Sequence, residues 1–176
     1  MVYSFICNSN ICKNAFTFNN GGNKSTDFFF CCMIKIEYPP YQPKIKVAAD
    51  KEFIFDEVRK RWVVLTPEEW VRQNFLQYLV VVKRYPASLI AVEKEIQLGE
   101  LKKRFDIVVY KDDAPWMIIE CKEMNVLLDK KALDQVLRYN IHLQVPCLVI
   151  TNGKYCYAFA VVDGGLQEMA ELPDSI

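Results

Sequence analysis

The chain has 176 residues, more than half of them apolar, with 22 basic and 22 acidic side chains. That is enough for one domain with a real core, and it excludes a disordered chain and a partner held by net positive charge, so that a nucleic acid would have to meet a local basic patch. No apolar run approaches the roughly 18 residues that a membrane span needs. The seven cysteines form no C-x-x-C pair and no zinc-spaced Cys/His cluster. An odd count without a framework points to a reducing, cytoplasmic setting. Cys121, Cys147 and Cys156 lie in apolar runs, where a thiol behaves as a small hydrophobe. His142 is the only histidine, which excludes sites built on several His ligands.

Residues 1–32 have neither helical nor strand periodicity and hold four of the cysteines. They lack the basic start and early apolar region of a signal peptide. They are expected to be a non-native or disordered extension, with Met33 as the natural start, which an intact-mass measurement on natively expressed protein would check. Residues 33–65 then form an N-terminal unit. Tyr38 to Pro43 is extended by its prolines, and Phe53–Phe55 and Trp62–Leu65 flank a charged turn as a β-hairpin.

Residues 66–165 are expected to form the core, and 166–176 a tail. Thr66 suits an N-cap, Pro67 the first helical position, and Glu69 completes a capping box. The helix should run to about Lys83, burying Val71, Phe75, Tyr78, Leu79 and Val82. Residues 89–98 read as a strand with Glu93 and Glu95 on one face, and 99–103 as a turn. Two runs rich in β-branched and aromatic residues follow, Asp106–Tyr110 and Trp116–Lys122, joined by a polar loop of about five residues. A second helix is expected over about 129–143, with Leu133, Val136, Leu137 and Ile141 on one face. Its other face carries Lys131, Gln135, Arg138, Tyr139 and His142. Pro146–Ile150 and Tyr155–Val162 read as strands about a tight Thr151–Lys154 turn, and the segment after Asp163 shows few apolar anchors. The order predicts an α/β fold, with a mixed central sheet flanked by helices and a parallel crossover between the Glu120 strand and strand 147–150.

Charges inside apolar strands carry the chemistry. Glu120 and Lys122 share one strand face and Cys121 points to the other. Asp106 on the neighbouring strand can converge with them. Two carboxylates that close need a counter-charge. Mg²⁺ supplies one through hard oxygen ligands, with Mn²⁺ as substitute. The lysine beside them can hold a water or steady developing negative charge. A hairpin with one solvated face shows the same alternation, but near-continuous apolar runs favour strands covered on both faces, where a buried charge needs a partner.

The order of these blocks resembles the PD-(D/E)xK nuclease superfamily. More narrowly, Thr66–Gln73, Arg104–Tyr110, Ile119–Lys122, Gln135–Tyr139 and Thr151–Gly153 resemble the N-terminal nuclease domain of type I restriction enzyme R subunits. The likeness covers about residues 34–162 and implies a restriction-endonuclease-like fold. It implies that Asp106 and Glu120 hold the metal with the Cys121 backbone carbonyl, and that Lys122 orients or activates the attacking water. Glu69 would reach the metal directly or through water, although it could simply cap its helix. Gln135 and Tyr139 would support the site and contact DNA, or stand as surface residues. Lys102, Lys103, Arg104, Lys130, Lys131 and Arg138 would line a phosphate-binding rim or a solvated face.

No G-x-x-x-x-G-K-[ST] loop is present. ATP-driven translocation is therefore not expected from this chain, and a motor or targeting subunit would come from another chain. The expected function is Mg²⁺-dependent cleavage of nucleic acid, as a DNA endonuclease of restriction or defence type. The alternative is a catalytically silent nuclease-fold module that docks DNA or assembles a complex. A homodimer, which would pair two sites for double-strand cleavage, fits the resemblance.

Overall fold

The computed structural model describes residues 5–6, 33–98, 101–128, 145–163 and 165–175. A two-residue strand β1 (Phe5–Ile6) is followed by β2 (Ile45–Ala48), β3 (Lys51–Asp56) and β4 (Arg61–Val64). Then come helix α1 (Pro67–Gln77), β5 (Ile90–Leu98), β6 (Leu101–Lys111), β7 (Ala114–Cys121), β8 (Cys147–Thr151), β9 (Cys156–Val162) and β10 (Gly165–Glu168). The main sheet is mixed, in the order β1-β10-β9-β8-β7-β6-β5, and β2-β3-β4 form a separate antiparallel sheet. The predicted α/β class holds, and β7 and β8 pair in parallel as expected. The second helix, with Gln135 and Tyr139, lies outside the described residues.

Helix α1 starts as its sequence dictates. Thr66 Oγ1 accepts from the Glu69 N–H, and Pro67 opens the first turn. The helix continues into a π-helical turn, Tyr78–Val82, so the predicted end near Lys83 holds. Val71, Phe75, Tyr78 and Leu79 are buried. Val82 is not: it is 42% exposed, because the wider π turn rotates it off the apolar stripe.

Both faces of the central strands are buried. Ile107, Val109, Met117, Ile119 and Val149 pack with α1 on one side, while Val108, Ile118, Leu148, Ile150 and Phe159 form a second cluster. Cys121, Cys147 and Cys156 are free thiols buried in the first cluster, and burial holds all three above the ordinary thiol range.

Four expectations about local structure are corrected. The N-terminal hairpin is the β3–β4 part of a three-stranded sheet, with β2 added through the two-residue turn Ala49-Asp50. The β6–β7 loop has two residues, not five: Lys111 pairs with Ala114, and Asp112 and Asp113 take φ of 49° and 61°. That is a type I′ turn, whose twist matches the strands. Lys102 and Lys103 lie in β6, not in a turn. Finally, the segment after Asp163 is anchored by β10 and by the buried Leu166 and Leu172. Among the described residues no helix is long and apolar enough to cross a membrane.

Candidate functional site

Strands β6 and β7 pair from Lys111 and Ala114 down to Ile107 and Ile119, where their regular register ends. At that open end the Asp106 side chain takes over a ladder role: its Oδ2 accepts from the Cys121 N–H at 2.8 Å. Strand β7 stays paired with β8, and the Lys122 N–H donates to the Thr151 carbonyl at 2.8 Å. The backbone carrying Glu120, Cys121 and Lys122 is therefore held from both sides. Lys122 Nζ donates to Glu120 Oε1 at 2.6 Å, as their shared strand face requires. The Cys121 thiol is fully buried, so only its backbone can serve the site.

Electrostatics follow from burial. Burial raises the Glu120 carboxyl, and Asp106 raises it further, while Lys122 opposes both. Burial works against the Lys122 ammonium, but the hydrogen bond and charge of Glu120 outweigh it and raise its pKa. Lys122 therefore stays cationic near neutral pH, suited to orienting a water or stabilising an anion rather than removing a proton.

Two arginines tie the carboxylates together. Arg72 Nη2 donates to Asp106 Oδ1 at 2.8 Å, and its Nη1 bonds Glu69 Oε2. Arg59, from the β3–β4 turn, bonds Asp56 through Nε at 2.5 Å, Glu69 through Nη2 at 2.8 Å, and Glu93 through Nη1. Gln73 Nε2 donates to both Asp56 and Glu69 at 2.8 Å. The guanidinium of Arg72 is buried, which disfavours its charge, yet Asp106 and Glu69 raise its pKa above the ordinary arginine value. Its Nε is buried without a hydrogen-bond partner among the described residues.

Several predicted site residues sit elsewhere than expected. The Glu69 carboxylate turns inward to Arg59, Arg72 and Gln73, so the reciprocal half of a capping box is replaced by an ion-pair network. The acid of α1 whose charge couples to both Asp106 and Lys122 is Glu68, whose carboxyl is raised by burial and by Asp106. Glu68 also lies 3.5 Å from Arg72. Glu93, which takes φ of 50° opposite Asp106 in the strand register, reaches the cluster through Arg59. Glu95 faces out and pairs with Lys102. Of the expected phosphate rim, Arg104 is exposed 4.0 Å from Glu93, and Lys130, Lys131 and Arg138 lie outside the described residues. Arg72 and Glu68 fall within the Thr66–Gln73 block, but the sequence assigns them no role. Their one signal is the acidic–arginine spacing on a helix start.

Among the described residues no three His, Cys, Asp or Glu side chains form a ready metal cage. The donor set still suits Mg²⁺, which commonly takes one or two carboxylates and completes its shell with water and substrate phosphate. Six carboxylates of the described residues (Asp56, Glu68, Glu69, Glu93, Asp106, Glu120) gather around five cations, the largely buried Arg59, Arg72 and Lys122 and the exposed Arg61 and Arg104. That surplus of negative charge favours one more cation.

The domain is α/β with a mixed sheet, and it carries an Asp, a Glu and a Lys where two of its central strands part. The family model for the type I restriction enzyme R protein N terminus (HSDR_N) matches residues 67–173, and the chain belongs to that family. No curated protein matches the chain.

Proposed function

We propose that this chain hydrolyses phosphodiester bonds in nucleic acid, with DNA the expected substrate, at Asp106, Glu120 and Lys122. The observation that supports this is the meeting of two carboxylates, one of them with raised proton affinity, beside a lysine held cationic. Asp106 and Glu120 are the residues that would hold Mg²⁺, with the Cys121 carbonyl as a further oxygen. When bound, the ion would supply Lewis-acid polarisation of the phosphate and lower the pKa of a water. Lys122 orients the water and offsets charge that builds on the phosphate. Arg72, already on Asp106, adds positive charge for the phosphate oxygens. Gln135 and Tyr139 keep their proposed supporting and DNA-contacting roles, and Glu69 acts through the arginines. Restriction or defence context, targeting by another subunit and pairing of two copies belong to the same proposal.

One observation favours the silent module instead. Arg72 already pairs with Asp106, one of the two proposed metal ligands. Titration calorimetry with Mn²⁺ and Mg²⁺, with and without DNA, separates the two readings. Binding by the wild type that is lost in Asp106→Asn, with cleavage abolished but folding and DNA binding retained in Lys122→Ala, is the expected result. Absence of metal binding under both conditions would establish the module. Tight DNA binding lost in Lys122→Ala would remove Lys122 from its role.

A further inference from the structure

The three-stranded sheet has a face that the carboxylate cluster does not use. Residues paired across strands share a face, and side chains alternate along each strand. The registers place Lys46, Phe53 and Val64 in one row, with Phe55 and Trp62 in the next. Lys51 and Ala48 lie on the same face, and Lys44 stands opposite Phe55, whose N–H bonds the Lys44 carbonyl at 3.0 Å. The other face carries Ile54 and Asp56, both fully buried, and Glu52. Alternation thus sends both carboxylates of these strands to one face. It leaves three lysines and three aromatic rings, and no acid, on the other.

This outer face is open. Trp62 is 37% and Val64 44% exposed. Lys46 Nζ lies 4.5 Å from the Trp62 ring centre and 5.8 Å from that of Phe53, and Lys44 Nζ lies 5.1 Å from Phe55. The Phe55 and Trp62 ring centres are 5.4 Å apart. Lys44 also meets Glu57 in the following turn at 2.8 Å, at the end of the sheet. The stretch precedes residue 67, outside the span that the family model matches.

We propose that this face binds single-stranded nucleic acid. Lysines alone would suit any polyanion, and rings alone any apolar partner. Interleaved, they suit a strand whose unpaired bases stack on Phe53, Phe55 and Trp62 while its phosphates meet Lys46, Lys51 and Lys44. A duplex keeps its bases stacked inside and leaves the rings unused. The lysines now lying over the rings give way to bases and turn to phosphates. The inner side of the same sheet sends Asp56 and Arg59 into the carboxylate cluster, so a strand held here is tethered beside it. The proposal does not depend on hydrolysis at that cluster, and binding needs no metal.

The test is fluorescence anisotropy of a labelled short oligothymidylate with the full chain in EDTA, at low and raised salt. Saturable binding is expected, weakened about ten-fold by Trp62→Ala and by Phe55→Ala, and largely kept in Trp62→Phe. Joint Lys46→Gln and Lys51→Gln should weaken binding and flatten its salt dependence. Both lysines are exposed, so that variant should fold and decides the matter even where circular dichroism shows Trp62→Ala to be misfolded. Lys35→Gln, at an exposed lysine outside both this face and the cleavage site, should bind like the wild type, which separates this face from general surface charge. No saturable binding, binding indifferent to these changes, tighter binding to a duplex of equal length, or binding of anionic phospholipid vesicles instead would each overturn the proposal.

Discussion

Asp56 shows how a single buried carboxylate is held ionised. It is fully buried, and burial pushes its carboxyl up, but the backbone and side-chain hydrogen bonds of Arg59, the Arg59 charge and Gln73 outweigh that and lower it. The Val58 and Arg59 N–H groups donate to Oδ1 at 2.8 and 2.7 Å. Asp56→Asn removes the charge and turns an amide N–H₂ toward donors, so it should cost about 3 kcal/mol at neutral pH. The sign with pH follows from the lowered folded value. The unfolded chain binds the proton more readily, so the stabilisation is complete above its ordinary pKa of 3.8 and is lost as pH falls through the folded value. Urea unfolding at neutral pH and below pH 4 should show the gap between wild type and variant closing in acid; a constant gap would deny Asp56 this role. At this scale the placing of Glu120 beside Lys122 was legible, because strand alternation puts both on one face, and the pairing of β6 with β7 brings Asp106 to the same strand end. Arg59, Arg72 and Glu68 were not. A step of one residue turns a helix side chain by about 100°, so whether Glu68 or Glu69 faces the strands depends on how α1 rests on the sheet. No local pattern carries that angle.

The hairpin turn between β6 and β7 is a weak point in an otherwise well-determined element. Asp112 and Asp113 both hold left-handed backbone, which costs a non-glycine residue energy that Asn and Gly avoid best. The double substitution Asp112→Asn with Asp113→Gly should stabilise by about 1 kcal/mol and raise the melting temperature by about 2–4 °C. A thermal scan that shows no gain would mean that the turn strain is already relieved by its surroundings. The same residues explain the misread loop length: without a glycine, the two-residue turn was hidden in a polar stretch. Helix α1 was legible because its start carries Thr66 and Pro67 and its buried stripe repeats at helical spacing. Strand β2 was not, since all four of its side chains are exposed and no burial pattern marks it. Strand β10 was hidden for a related reason: its alternation rests on one buried leucine, Leu166.

The molecule as a whole joins two sheets, and Arg59 is a principal tie between them. Its guanidinium bonds Asp56 on its own sheet, Glu69 on α1 and Glu93 on β5, and it is itself 9% exposed. Glu93 keeps a left-handed backbone in mid-strand, and the arginine is what its carboxylate meets there. Arg59→Ala leaves three carboxylates without their shared cation, a buried-pair loss of about 3 kcal/mol. If Arg59 is the tie, the loss is local first: amides of β3 and β4 should exchange hydrogen faster, while those of β7 and β8, whose side chains fill both buried clusters, keep their protection. A double-mutant cycle with Glu93→Gln isolates the bridge to β5, and its coupling should be about 1–3 kcal/mol because the groups touch. Additive effects would place the stabilisation in Asp56 and Glu69 alone. Uniform loss of protection across both sheets would make them one cooperative unit, with the arginine network a consequence of their packing rather than its cause.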